Sequence, residues 1–377
     1  MPAKSNKKAV LVLTGARIIN KRMSLFIEGV IAAGVPVRVF ALPRGKWKLD
    51  RSERPLYPCL RNWLSVDFGD TRQSQLASVM CFHWLVLPVA VLIGLLKRVP
   101  VLYDEHDHYE LNTAEGGGSA IRRVLAPALV KWFHRICLPW VSVVTCIHMD
   151  RQILKRHLEQ WQSSIIEIHN YPAAVWRESA RTPDSHLPLC FVYIGGVFSE
   201  KGPEAAAEAL QLLSEHERRG STVHIFGDGD PALISRLKKV PHVVIHRSVT
   251  PAEFRTFAAN HRCCGLSLLS NTPRYRLVGT NCTKLYEYLA LGMPVLATNV
   301  GEFPQFITTH QVGLVVDGEM NPDELAAAMR TMLNDTRRFH EMSYNAVTLM
   351  STEEMTWEHE WQKIERSQAF NNIQRAA

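Results

Sequence analysis

The residues best suited to chemistry lie between Gly279 and Glu302, in the run GTNCTKLYEYLALGMPVLATNVGE. Thr280, Asn281 and Thr283 are small polar residues ahead of an apolar stripe at helical spacing: Leu285, Tyr288, Leu289 and Leu291. Lys284 and Glu287 sit between those apolar positions. Gly292 and Pro294 stop the helix, and Val295-Leu296-Ala297 reads as a short buried strand. The free N–H groups and dipole of the helix start favour a bound anion. Locally, an ordinary αβ unit with a capping Thr explains the same pattern. Two other polar groups compete for attention. Asp104-Glu105-His106-Asp107 follows a strand directly and admits a metal reading. Asp228 and Asp230 form an Asp-x-Asp in a glycine turn, where turn formation accounts for both.

The elements that must position these residues follow an alternating pattern. In the first half, strands are expected at Lys8–Leu13, Pro36–Ala41, Val79–His83, Val99–Tyr103, Val141–Ile147 and Ser164–His169. Helices are expected between them at Asn20–Ala33, Leu85–Leu96, Ser119–Cys137 and Met149–His157. Residues 42–75, rich in Pro, Arg and Trp, read as irregular with one strand. Residues 173–187 read as a linker. The second half repeats the alternation, with strands at Leu189–Ile194, Val223–Phe226, Val243–His246, Cys264–Leu268, Pro294–Ala297 and Gly313–Val316. Such alternation builds parallel sheets covered by helices on both faces. The expected fold is therefore α/β, with two Rossmann-like domains facing each other across a cleft. Ligands of such sheets bind beyond the carboxyl ends of the strands.

Composition limits the function further. A chain of 377 residues accommodates two domains. Its eight cysteines lack metal-ligand spacing, and a reducing cytoplasm suits them. The net charge of +7 is uneven: residues 1–180 hold 24 Lys and Arg against 14 Asp and Glu. That surface suits a phosphorylated acceptor or an anionic membrane. No nucleic-acid-binding signature accompanies it, so nucleic acid is not expected as a partner. The apolar run Val79–Leu96 approaches spanning length, but His83 and Pro88 interrupt it. It parses as a buried strand followed by a helix covered on most sides. Ile121–Trp140 combines Arg122, Arg123, Lys131 and Arg135 with Leu125, Leu129, Trp132 and Phe133. It reads as a packed crossover helix or as an interfacial helix contacting lipid.

Five stretches, in order, carry a resemblance: VLYDEHD (101–107), IHNYP (168–172), YIGGVFSEKG (193–202), HIFGDGDP (224–231) and NCTKLYEYLALGMPVLAT (281–298). Together the chain resembles the retaining, nucleotide-sugar-dependent glycosyltransferases of the GT-B fold, glycosyl transferases group 1. The resemblance implies an acceptor-binding domain at 1–175 and a donor-binding domain at 186–355. It also implies a C-terminal helix, 356–377, that crosses back to the first domain and docks Trp357 and Trp361 there. It places Lys201 on the donor diphosphate, after a turn made by Gly195 and Gly196, where many relatives have Arg at the second position. Glu287 matches the glutamate that holds the donor ribose, and His106 a histidine near the transferred sugar. Lys284 would oppose the helix dipole unless an anion lies nearby.

The departure from the family is Gly279, where many members carry a glutamate that engages the sugar. Asn281 and the backbone of 279–283 are the candidates to replace it. The implied activity is transfer of a hexose from a UDP- or GDP-sugar to an acceptor hydroxyl with retention, without metal or cofactor. The implied setting is cell-surface polysaccharide or glycolipid assembly, on a glycan or lipid-linked acceptor at the inner face of the membrane. Two other readings stay open: a GT-B nucleotide-sugar epimerase, and an inactive protein that binds nucleotide sugar or anionic lipid.

Overall fold

The computed structural model describes residues 8–15, 21–41, 64–68, 75–115, 120–149, 152–181, 186–278, 282–367 and 370–371. The chain divides into two compact units. Unit 1 comprises Met1–His148, Gln152–His169 and Glu360–Ala377, and unit 2 comprises Met149–Arg151 and Asn170–His359. Among the described residues, no helix is long and apolar enough to cross a membrane.

Unit 1 contains strands β1 (Lys8–Thr14), β2 (Val37–Ala41), β3 (Leu64–Phe68), β4 (Gln75–Cys81), β5 (Val101–Glu105), β6 (Val143–Ile147) and β7 (Ile165–Ile168). They form one sheet in the order β3-β2-β1-β4-β5-β6-β7. All neighbours are parallel except β3, which runs antiparallel to β2 at the edge. The central strands are largely buried, as expected of a sheet covered on both faces; all five residues of β5 are buried. The expected strand Val79–His83 is corrected to β4, since pairing with Lys8 carries the extended backbone out to the polar Gln75. Helix Tyr109–Glu115 was absent from the sequence pattern, as its single buried apolar anchor, Tyr109, sets no period.

The helix expected to be covered, now Leu87–Lys97, is the clearest correction. Its inward positions are Leu87, Ala90, Val91 and Gly94, whereas Val89, Leu92, Leu95 and Leu96 are exposed. A Cβ on Gly94 would lie 2.3 Å from Val101, so the helix approaches the sheet closely at its small residues and turns Leu92, Leu95 and Leu96 outward. Trp361, on helix Trp357–Glu365, closes unit 1 by packing edge-on against Phe26 and Phe370. Trp357, expected to dock on the first domain, instead belongs to unit 2, where its N–H donates to the Pro172 carbonyl.

Unit 2 has six parallel strands: β8 (Leu189–Ile194), β9 (Ser221–Phe226), β10 (Val243–His246), β11 (Arg262–Ser267), β12 (Val295–Thr298) and β13 (Gly313–Val316). Their order is β10-β9-β8-β11-β12-β13, so the direction of winding reverses between β8 and β11. Ligand crevices of open α/β sheets form at such a reversal. Helix Thr336–Met350 buries Phe339, Met342, Ser343, Ala346 and Met350, a regular helical stripe.

Candidate active site

The loops beyond β8 and β9 are pressed together backbone to backbone. Val197 donates to the Asp228 carbonyl and accepts from the Asp230 N–H, while Gly195 donates to Phe226. A Cβ on Gly227 would lie 1.9 Å from the Gly195 oxygen, and one on Gly229 would lie 2.1 Å from the Val197 oxygen. Only glycine allows this approach. Gly195 and Gly227 also hold positive φ, at 137° and 153°. Asp230 caps helix Pro231–Leu237 by accepting from Ala232, and Asp228 accepts from the Ser248 hydroxyl. The Asp-x-Asp is thus occupied by turn and cap.

Lys201 ends the 3₁₀ turn Ser199–Lys201 that leaves this cradle, and its ammonium lies 5.5 Å from the Phe198 ring. Gly202 follows with φ 74°, and a Cβ there would strike Leu268. Gly196 faces the same ammonium: a Cβ on it would be 3.6 Å from Lys201 Nζ and 2.8 Å from the Phe198 ring.

Helix Thr283–Ala290 lies on the same side of the reversal. It packs into the core with Leu285, Tyr286, Glu287, Tyr288 and Leu289 all buried. Tyr288 anchors it: its hydroxyl accepts from the Ile194 N–H at 2.9 Å, and its ring fills the space left by Gly265 on β11. The helix begins at the N-cap Cys282 without a side-chain cap. On its first turn, Lys284 lies over the Tyr193 ring, Nζ 4.5 Å from the centroid. Tyr193 in turn donates to the Gly196 carbonyl at 2.7 Å. Burial pulls the Lys284 pKa down to about 8; Cys282 opposes it, and the nearby Lys201 charge adds a lesser downward pull. Among the described residues neither lysine forms an ion pair. Glu287, one turn further on, is buried with 5% of its surface exposed.

The structure therefore brings Gly195, Gly196, Lys201, Thr283, Lys284 and Glu287 into one unit around one strand reversal. Gly279, Thr280 and Asn281 lie outside the described residues. The chain on their near side is held by Gly301, whose φ of 73° lets the backbone pass against the Val278 carbonyl. The hydroxyl contacts of Tyr193 and Tyr288 are not legible in the sequence. Each tyrosine is an apolar residue in a regular pattern, and nothing local marks its hydroxyl as structural.

His106 belongs to unit 1, just beyond β5. Its ring contacts the Tyr109 hydroxyl, Nε2 3.0 Å away, and its Nδ1 lies 3.6 Å from Asp104. Burial opposes its charge, but the Asp104 hydrogen bond and charge prevail and raise its pKa. Asp104 is fully buried and bidentate with Arg22, at 2.8 and 2.9 Å, and accepts from Thr145 at 2.7 Å. Burial alone would raise its pKa; the Arg22 guanidinium outweighs that and holds it below the usual carboxylate range. Glu105 accepts from the Tyr103 hydroxyl and lies 3.4 Å from His134. Two acids of the sequence cluster are thus engaged in the core of unit 1.

Residues 188–335 match the model of the family described as Glycosyl transferases group 1. No curated protein matches the chain. Among solved structures, the Anabaena protein HepE, in complex with UDP and glucose, aligns over 95% of this chain and 98% of its own at 13% identity, TM-score 0.61. WaaG, a glycosyltransferase involved in lipopolysaccharide biosynthesis, aligns over 96% and 100% at 15% identity, TM-score 0.61. Sucrose-phosphate synthase from Thermosynechococcus elongatus aligns over 98% and 100% at 14% identity, TM-score 0.60. Each of these likenesses spans both units of the chain.

Proposed function

We propose, from the premise that residues 188–335 are a glycosyl transferases group 1 domain in a GT-B glycosyltransferase fold, that this chain moves a hexose from a nucleoside-diphosphate sugar to an acceptor hydroxyl with retention. The observation that carries this is the pair Lys201 and Lys284, two cations without carboxylate partners among the described residues, beside a backbone cradle only glycines can form. Placing two ammonium groups together costs free energy unless an anion joins them, and a diphosphate does so. Glu287 accepts two vicinal ribose hydroxyls, the natural task of a buried carboxylate beside such a cradle. UDP in the HepE structure supports a uridine donor.

In the reaction the bond from the anomeric carbon to the β-phosphate oxygen breaks while the acceptor oxygen bonds to that carbon from the same face. The acceptor proton passes to the leaving phosphate oxygen, whose growing charge Lys201 and Lys284 neutralise. No metal or cofactor is needed in this scheme. His106 serves as a hydrogen-bonding group for the sugar or the incoming hydroxyl, and its tie to Asp104 orients the ring. Asn281 and the backbone of 279–283 stand in for the acid absent at Gly279. The acceptor is a glycan or lipid-linked, anionic molecule of surface-polysaccharide or glycolipid assembly, met on the cytoplasmic side of an anionic membrane.

Thermal shifts with UDP, GDP and their sugars test the donor site. UDP ligands should raise the Tm of the wild type, less that of Lys201→Ala, and least that of Glu287→Ala. Stabilisation by every nucleotide that survives both substitutions would refute the site. Labelled donor then separates transfer, which yields glycosylated acceptor, from epimerisation, which releases free sugar, and from binding without turnover.

A further inference from the structure

The geometry points to the outer faces of helices Leu87–Lys97 and Ala120–Cys137 as the surface by which unit 1 docks on an anionic lipid bilayer. This deepens the membrane part of the proposed function and takes its biological meaning from it.

The two helices pack against each other in unit 1. The first contacts the sheet through Ala90 and Gly94 and exposes the larger Leu92, Leu95 and Leu96, the last with 73% of its surface in solvent. Core packing explains Leu87, Ala90, Val91 and Gly94 and leaves Leu92, Leu95 and Leu96 without a task. The second buries Val130, His134 and Cys137 and exposes Ile121, Leu125, Leu129, Trp132 and Ile136, a stripe along the helix. Trp140, 60% exposed, continues it in the turn that follows. Soluble proteins rarely leave so much contiguous apolar surface unless something covers it.

Charge identifies the occupant. No acidic residue occurs between Gln75 and Tyr103 or between Gly116 and Met149. Lys97, Arg98, Lys131 and Arg135 are exposed on the same two elements. Leucine and tryptophan beside lysine and arginine, without acids, match the acyl boundary and phosphate layer of an anionic leaflet. A second copy of the chain would set these cations against their own kind.

Flotation with the full chain, without donor or acceptor, tests the surface apart from the transferase reading. The chain should float with phosphatidylcholine vesicles containing phosphatidylglycerol and far less with pure phosphatidylcholine. Lys131→Gln with Arg135→Gln should weaken partitioning by roughly fivefold per charge. Leu96→Asp with Leu125→Asp should lower it by about a hundredfold or more, with unchanged Tm because both sites are exposed. Should the aspartate variant fail to fold, the glutamine pair decides alone. The proposal falls if the chain ignores anionic vesicles, if neither variant changes partitioning, or if ultracentrifugation finds a dimer that the aspartate pair dissociates.

Discussion

Lys284 is the residue on which physical cost and function meet. A lysine on the first turn of a helix, over a tyrosine ring and near a second lysine, is held charged at neutral pH only weakly, with its pKa near 8. A diphosphate bound there restores the charge and must raise that pKa, so binding takes up a proton above pH 8. UDP affinity, measured by calorimetry from pH 7 to 9.5, should fall by up to tenfold per pH unit above about 8, and stay flat across that range in Lys284→Met. The sign for stability is opposite. The unfolded chain binds the proton more tightly, so the folded state gains stability as pH rises from 8 towards the free lysine value. Replacing Lys284 by Met should accordingly raise the Tm of the unliganded protein at pH 7 while weakening its stabilisation by UDP. Its position was legible in the sequence, as was that of Glu287. The Tyr193 ring beneath it was not, because 91 residues separate the two and only the pairing of β8 with β11 places them together.

Among the elements, the glycine cradle distinguishes positions the sequence treats alike. Gly227 combines φ 153° with a backbone oxygen that a Cβ would approach to 1.9 Å, so Gly227→Ala must part the two loops. Equilibrium denaturation should show a loss on the order of 2–4 kcal/mol, with nucleotide binding lost as well. Gly196 meets only the Phe198 ring and the end of Lys201, and Phe198 is exposed at 41% and can turn away. Gly196→Arg should therefore stay within about 1 kcal/mol of the wild type in the same measurement. Helix Leu87–Lys97 carries the same lesson with the opposite outcome. Its apolar run was plain, yet hydrophobicity alone does not say which face is buried, and here the small residues face the sheet.

At the scale of the molecule, each unit has its own sheet and core, and the C-terminal segment from Glu360 belongs to unit 1. Trp361 secures it against Phe26, Phe370 and the bare backbone of Gly29, where a Cβ would lie 2.4 Å from its ring. Trp361→Ala should cost unit 1 about 3–5 kcal/mol. Hydrogen exchange should then quicken in β1 and helix Lys21–Ala32 while β8, β11 and β12 keep their protection, with the UDP-induced protection of unit 2 intact.

Periodicity of two and of 3.6 residues, with glycine and proline punctuation, sufficed to establish two parallel α/β sheets, the helix at Thr283–Ala290, the glycine turn before Lys201 and a basic first half. These are properties of neighbours in the chain, and side-chain alternation records them directly. Tertiary structure alone decided who meets whom across strands. Arg22 neutralises Asp104 from 82 residues away, Tyr288 ties its helix to β8, and Trp361 fills the space over Gly29. It also decided that Leu92, Leu95 and Leu96 face outward, because strand order and close approach at Gly94, not composition, set which face of a helix reaches the core.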